Sequence, residues 1–310
     1  MSTKINILMT GVTGYIGGSV LTRFLKRPDH KFFKITTLVR SPEKAEKLKA
    51  HGVHAIVGTH DDSKVMESLA ADQDVVIAMA DADNLKATKA ILSGLKIRHE
   101  ETGTVPILIH TSGTVDIGVL SDSAGGKFTG ETIYDDANPD QIESLPDTQL
   151  HRNVDLEILR ADKEGYIKSY IILPSTIWGE ATGVMVDEGI QNPRSIQVPE
   201  LIRASLARGR AGMVGEGKNL WPDSNNHLSV ADLYLVLFDS IRSNPSTGHG
   251  REGFYFSENG EHSLYSVGRA IGDALVALGK SDNPEPTAFT RDELNKYFGA
   301  STISASHNLY

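Results

Sequence analysis

Apolar residues in the first third of the chain fall into short runs, separated by segments with a helical period. Runs of strand length occupy 5–9, 33–39, 53–57, 75–80 and 105–110. Between them, at 17–26, 42–51, 62–71 and 85–100, apolar positions recur every three or four residues. Strand and helix alternating at this spacing predict a parallel sheet covered on both faces. The helix starts carry their own signals. Ser41-Pro42 offers an N-cap followed by proline at the first helical position, and Asp62 or Ser63 caps the next helix.

The rhythm breaks at 114–150, a stretch holding Gly118, Gly125, Gly126, Gly130, Pro139 and Pro146. A connection of this length is usually functional or disordered. The pattern then predicts a helix over 147–163 and a buried strand at 170–173, closed by Pro174. Beyond it, helices are expected at 198–208, 230–242, 263–279 and 291–298, with a strand at 253–257. The segment 209–226 is rich in glycine and polar residues. The chain shows no internal repeat, coiled coil or low-complexity tract.

The sharpest local motif is Thr10-Gly11-Val12-Thr13-Gly14-Tyr15-Ile16-Gly17-Gly18, which leaves the first strand and opens the first helix. In that context each glycine has a physical task. Gly11 permits the tight turn, Gly14 lets the backbone approach a pyrophosphate, and Gly17 lets the helix pack on the strand. The free N–H groups and positive end of the helix then face phosphate oxygens. A dinucleotide is therefore expected. The second strand discriminates between two of them. An NAD site usually places Asp or Glu about 20 residues beyond the motif, against the ribose 2′-hydroxyl. Here the strand ends Leu38-Val39-Arg40-Ser41, without a carboxylate. Arg40 offers a planar donor fork suited to a 2′-phosphate, and Lys44 adds charge one turn into the next helix. The expected cofactor is NADP, the alternative being a solvated arginine at a strand end.

Composition narrows the partners. The 310 residues include 31 Lys plus Arg and 40 Asp plus Glu, a net charge of −9. Such a chain is a poor binder of nucleic acid or anionic membrane, so neither is expected. With no cysteine, disulfides, thiolate metal sites, iron–sulfur clusters and a cysteine nucleophile are excluded. The longest apolar run, at 75–80, is far too short to cross a bilayer, and no signal-peptide pattern follows Met1. A cytoplasmic protein is expected, with a small-molecule substrate as its partner and a homodimer left open. His51 and His54 have ligand-like spacing, but two histidines alone do not make a zinc site, and no metal is expected. There is no Gly-x-Ser-x-Gly elbow, and Gly126-Lys127 is followed by Phe128, so the hydrolase and P-loop readings fall away.

With these residues in place, the chain resembles the extended and atypical short-chain dehydrogenase/reductase superfamily, in particular its epimerase/dehydratase and NmrA-like members. The resemblance rests on the glycine motif, Leu38-Val39-Arg40, Asp74-Val75-Val76-Ile77-Ala78-Met79-Ala80, His110-Thr111-Ser112-Gly113-Thr114, 171–179, and His227-Leu228-Ser229-Val230-Ala231-Asp232-Leu233. It implies a doubly wound α/β Rossmann fold with a smaller, interleaved C-terminal substrate lobe. The Rossmann unit would use 1–173 and recover 218–262, leaving 174–217 and 263–310 for the substrate lobe. It also implies roles. Gly11, Thr13, Gly14, Tyr15, Ile16 and Gly17 would surround the pyrophosphate. Ala78, Met79 and Ala80 would line the ribose and pyrophosphate, and Thr59 and His60 the adenine, although many relatives carry Asp where Thr59 stands. Thr111 belongs to the same edge, and Pro174, Ser175 and Thr176 would lie near the nicotinamide carboxamide. Ser112, or Thr114 beside it, would supply the active-site hydroxyl, against the plainer reading of backbone capping.

One departure matters. The superfamily's reductive chemistry uses Tyr-x-x-x-Lys, in which the ammonium lowers the phenol pKa so that it can exchange a proton with substrate. No tyrosine in this chain is followed four residues later by lysine. By the resemblance, Asp147 and His151 occupy the Tyr and Lys positions, and Asp155 extends an acid–His–acid row along one helix face. A histidine oriented by a carboxylate is a plausible proton donor, the alternative being an ordinary exposed pair. Tyr134 in the long connection is a second candidate acid, or a loop anchor packing its ring. Trp178, Trp221 and Met185 lie where relatives bind substrate, with core packing as the alternative. Two classes of function follow. The first is an NADP-dependent oxidoreductase acting on a small carbonyl or alcohol, apolar or aromatic in character. The second is a cofactor-binding sensor without turnover, as in some NmrA-like relatives. NADP-assisted epimerisation or dehydration is a third reading.

Overall fold

The computed structural model describes residues 4–114, 126–128, 132–224 and 227–298. The first half alternates as the pattern predicts: β1 (Ile5–Met9), α1 (Tyr15–Leu25), β2 (Phe33–Val39), α2 (Pro42–Ala50), β3 (His54–Val57), α3 (Ser63–Ala71), β4 (Val75–Ala78), α4 (Leu85–Thr102) and β5 (Ile107–Thr111). Then come α5 (Pro139–Glu143), α6 (Arg152–Lys163), β6 (Lys168–Pro174), β7 (Thr176–Ile177), α7 (Val184–Asp187) and α8 (Gln197–Arg208). The chain continues through β8 (Gly212–Met213), β9 (Leu220–Ser224), α9 (His227–Ser243), β10 (Phe254–Ser257) and β11 (Gly260–Ser263). The described part ends with α10 (Leu264–Ala277), β12 (Thr287–Ala288) and α11 (Arg291–Phe298). Caps form where the residues call for them. The Ser41 hydroxyl accepts from the Lys44 N–H and the Asp62 carboxylate from the Lys64 and Val65 N–H groups.

Seven parallel strands form the main sheet in the order β10-β6-β5-β4-β1-β2-β3. The two-residue period of each strand sends alternate side chains to opposite faces. Ile7, Met9, Val75, Ile77, Ile109, Tyr170 and Ile172 join one buried cluster, while Leu8, Val76, Leu108, Ile171 and Leu173 join the other. α1 and α9 close the first face, α3, α4 and α6 the second. This is the doubly wound α/β architecture, and the strand order reverses between β1 and β4.

The late return of the chain is fixed on the first face. Phe24, Phe33 and Phe238 pack edge to face, with the Phe24 and Phe238 centroids 5.0 Å apart. The Arg27 and Arg242 guanidinium groups lie over the Phe33 and Phe238 rings and pair with Asp29 and Asp239. So α9 and β10 are built into the Rossmann unit. Within the predicted 218–262 segment, β9 and β11 behave differently. They pair with each other and with β7 in a separate three-stranded sheet, against which α8 and α10 form the third buried cluster, around Leu201, Trp221, Leu264 and Phe289. The glycine-rich 209–226 segment thus holds two strands that periodicity does not reveal, because β8 is two residues long and β9 carries Pro222 and Asp223. Among the described residues, no helix is long and apolar enough to cross a membrane.

α3 and α4 approach so closely that a Cβ on Gly94 would overlap the Glu67 carbonyl oxygen. Intrinsic propensity favours alanine over glycine inside a helix, so the sign of one substitution separates propensity from packing. Gly94→Ala is expected to destabilise the protein by about 1–3 kcal/mol, the usual cost of overpacking, read as a lower midpoint of thermal unfolding. An unchanged or raised midpoint contradicts the close approach.

Candidate functional site

The strand ends at the reversal point define a crevice. Gly11 has φ of 71°, and a Cβ there would collide with the Met79 carbonyl at the end of β4. The Thr10 hydroxyl accepts from the Met79 N–H at 3.0 Å, which clamps the two strand ends together. A Cβ on Gly17 would overlap the Gly11 carbonyl oxygen, so α1 sits directly on the loop. The Gly14 N–H donates to the Gly11 carbonyl at 2.8 Å, and Gly14, the N-cap of α1, brings no side chain to cap the helix. The helix start is therefore left open to an anion. The Thr13 carbonyl accepts from the Asn192 N–H at 2.9 Å, and Ile16 packs against the first cluster. The Tyr15 hydroxyl donates to the Trp178 and Gly179 carbonyls at 3.1 and 2.8 Å, tying this loop to the chain beyond β7.

The other expected cofactor residues stand along the same strand ends, in different states. Arg40 is exposed beyond β2 and makes no hydrogen bond or ion pair among the described residues. Lys44 points elsewhere: its ammonium donates to the Ile190 carbonyl at 2.8 Å and so braces the segment after α7. The Thr59 hydroxyl donates to the Asp61 carboxylate at 3.0 Å, which also accepts from Asn84. His60 lines a narrow crevice with Thr10, Ala78, Ala80, Asp81 and His110. Thr111 and Tyr234 share a buried hydrogen bond of 2.6 Å, with burial pushing the Tyr234 phenol well above its usual range. Ser175 donates to the Ser257 carbonyl at 2.7 Å beside Ser224. Pro174 offers its carbonyl to the Thr114 N–H at 3.1 Å and to the Thr114 hydroxyl at 3.3 Å. Thr176 is buried, and its hydroxyl has no partner among the described residues.

The proposed acid–His–acid row is not built as the sequence pattern suggests. Residues ahead of α6 form turns, with the Gln149 N–H bonded to the Pro146 carbonyl, and the helix begins only at Arg152. Asp147 is exposed in that turn. His151 is the N-cap and adopts φ of 68°, the one left-handed non-glycine residue among those described. Such backbone strain in a buried residue persists only where the surroundings impose it, and it clusters at functional sites. Nδ1 of His151 lies 2.6 Å from Oδ1 of Asp83, in the loop between β4 and α4. That bond, working against burial, holds the Asp83 carboxyl below its ordinary range. Sequence reasoning missed Asp83, which reads there as one of several acidic residues ahead of a helix cap. Asp155 turns to another partner. Fully buried, it accepts from the Ser112 hydroxyl at 2.9 Å, and its other oxygen lies 3.9 Å from Nε2 of His110. Tyr134 packs its ring against the second cluster, Met185 is core, and Trp221 belongs to the third cluster, whereas Trp178 is exposed. His51 pairs with Glu188 at 2.9 Å and His54 faces Thr36, so the two histidines serve different contacts. Among the described residues, no group of three or more His, Cys, Asp or Glu could hold a metal ion.

His110 lies at the centre of this charged cluster. Its burial lowers its pKa, against the pull of Asp155, so it is neutral in the fold. The unfolded chain takes up a proton on it near pH 6.5, which the folded form resists, so its contribution to stability is present above that pH and lost below. Stability is expected to fall as pH drops from about 6.5 to 5, less steeply in His110→Gln. Thermal melts across that range check this. Equal slopes in both proteins contradict it. His262, shifted down by burial as well, keeps the variant's slope from vanishing.

The comparisons agree with this architecture. Residues 3–101 match the model of the NmrA-like family. The chain is 30% identical over 291 residues to the oxidase ucsJ of Acremonium sp, covering 88% of this chain and 79% of that protein. The dTDP-glucose 4,6-dehydratase of Bacillus anthracis, solved in complex with NAD, superposes with a TM-score of 0.59 at 16% identity, covering 95% of this chain and 90% of the other. The triphenylmethane reductase of Citrobacter sp., complexed with NADP(H), gives 0.55 at 14% identity, covering 96% and 84%. The two solved structures share the fold, and the match to the Acremonium oxidase extends over most of both chains. The chain belongs to the NmrA-like family.

Proposed function

We propose that this protein is an NADP(H)-dependent oxidoreductase of the short-chain type, acting on an alcohol or carbonyl carried by an apolar substrate. The observation that carries the reading is the glycine cradle at the strand reversal, where Gly11 and Gly17 leave no room for a Cβ and the start of α1 is open to phosphate. Thr13, Gly14, Tyr15 and Ile16 would present their N–H groups or backbone to the pyrophosphate. Ala78, Met79 and Ala80 would border the ribose, and His60 the adenine side. Arg40, without a partner among the described residues, would take the 2′-phosphate. When bound, the nicotinamide donates or accepts a hydride equivalent. Comparison supports a nicotinamide dinucleotide, since similar folds bind NAD or NADP.

The proton is assigned to His151. A carboxylate held ionised, as Asp83 is, can only accept, so Nδ1 of His151 carries the hydrogen, and proton exchange with a substrate would run through Nε2. Neutral His151 then acts as a base toward an alcohol, and its protonated form as an acid toward a carbonyl. Ser112 gives its hydrogen to Asp155, so it has none to offer a substrate carbonyl, and the hydrogen of a bound hydroxyl would go to His151. That arrangement favours the alcohol as the bound form.

Two measurements test the reading. Titration should show that Arg40→Ala weakens NADPH about 10- to 100-fold, the worth of a charged hydrogen bond, and leaves NADH nearly unchanged. Equal losses refute the preference for NADP. Turnover is then followed with a panel of aliphatic and aromatic alcohols and aldehydes. His151→Ala should lower kcat about 10²- to 10⁴-fold with NADPH affinity retained, and Asp83→Asn should lower it less. Turnover unaffected by His151→Ala refutes the assignment. Tight NADPH binding with no turnover in either direction favours the sensor.

A further inference from the structure

The small sheet of the second lobe has a face that the dinucleotide reading does not use. In its register, Thr176 pairs with Asp223 and His262 with Trp221. Trp221 and Asp223 are two apart on β9, so all four residues share one face. α8 and α10 pack over that face, and between them a cavity of about 500 Å³ remains. Val198, Ile202 and Leu206 line it from α8, four residues apart on one helical stripe, and Ile271 and Leu275 line it from α10. Trp178 stands at its mouth, 44% exposed, with Ile202 and Leu206 at 39% and 47%. The volume and the mixture of apolar wall and few polar groups are those of a small-molecule site.

The polar groups gather at the sheet. Thr176 is 7% exposed and its hydroxyl oxygen has no hydrogen-bond partner among the described residues. A buried hydroxyl in that state lacks a bond it would have in water. Oδ2 of Asp223 lies 3.4 Å from Nδ1 of His262. Burial pushes the His262 pKa down, against Asp223, so the ring is neutral and its second nitrogen can accept. Asp223 disfavours an anion in the same space.

We infer that this cavity binds a neutral, ring-bearing apolar molecule carrying one hydroxyl or carbonyl group, which Thr176 and His262 recognise at the sheet end. The wall residues 176–178 continue directly from β6, and the backbone at Trp178 and Gly179 holds the Tyr15 hydroxyl of the glycine loop. One short segment therefore links the cavity wall to the glycine loop. Its identity as the substrate pocket rests on the oxidoreductase reading; its ability to bind does not.

The test is equilibrium binding, followed by Trp178 fluorescence and calorimetry, with 2-naphthol, naphthalene and 2-naphthoate. Naphthol should bind about tenfold more tightly than naphthalene, one hydrogen bond's worth, and naphthoate more weakly than naphthol. His262→Phe keeps the wall apolar, and should bring naphthol and naphthalene to similar affinities. Ile202→Trp should abolish binding of both while leaving NADPH affinity unchanged, which separates this result from failure of the dinucleotide reading. Absence of binding by either neutral probe, equal affinity for the pair in the parent protein, or naphthoate binding as tightly as naphthol overturns the inference. So does a dimer that Ile202→Glu dissociates into monomers, with neither form binding naphthol, since a second copy would then cover the cavity.

Discussion

Gly11 and the Met79 carbonyl cannot both stay where they are if residue 11 has a side chain. That contact is where β1 and β4 meet at the reversal of strand order, and the rest of the crevice is arranged around it. The left-handed turn at Gly11 lets the chain leave β1 sharply enough for α1 to sit over the strand end. Gly17 then lets the helix backbone rest on the Gly11 carbonyl. Thr10 completes the joint by accepting from the Met79 N–H. Three small or hydroxyl-bearing residues thus hold two backbones at a separation that only glycine tolerates. The open end of α1 faces the space so formed.

The joint would be of little use if the second lobe drifted. Two devices hold it. On the first face of the sheet, Phe24, Phe33 and Phe238 form an aromatic cluster roofed by Arg27 and Arg242, which returns α9 to the Rossmann unit. At the strand ends, the Tyr15 hydroxyl and the Gln191 side chain bridge the start of α1 to the chain beyond β7. Ser175, Ser224 and Ser257 close a buried hydrogen-bonded knot that joins the small sheet to β10. The lobes share a backbone that crosses between them several times, so their relative position is set by packing and not by one hinge.

These features were unevenly legible in the sequence. The alternation of five strands with four helices follows from period alone, because the inner strands β1, β4 and β5 are buried on both faces and read as continuous apolar runs. The glycine loop is equally plain, since its spacing has a mechanical cause. Strands β7, β8, β11 and β12 were not, being two to four residues long, too short for period two to declare itself. The residues proposed to handle the proton are half visible. His151 stands out as a residue, but its partner does not. A helical ladder puts Asp147 and Asp155 on its face, and that ladder fails because the chain turns left-handed at His151 before the helix begins. Asp83 is distant in sequence, and no local pattern connects the loop after β4 to the start of α6. Lys44 shows the converse. Its position beside Arg40 suggested a phosphate contact, yet a nearer carbonyl at Ile190 holds its ammonium.

On the proposed reading, an exchange of Tyr-x-x-x-Lys for the His151–Asp83 pair has an internal logic. A phenol ionises near pH 10 and needs a neighbouring cation to work at neutral pH. An imidazole already titrates near neutrality, so a cation beside it would be counterproductive, and what it needs is an anion to fix its tautomer. Asp83 meets that need, and a lysine one turn into the helix would have to share the ground with it. The residue found there is Asp155, buried and turned to Ser112. A second carboxylate so close to the crevice has a consequence for Ser112: its hydrogen is committed inward, so it has none to give a substrate oxygen. Under the proposed assignment His151 would take the hydrogen of a substrate hydroxyl. The same carboxylates would repel an anionic substrate. On the proposed reading a neutral alcohol meets both conditions, and the apolar cavity of the second lobe would select for the same kind of molecule.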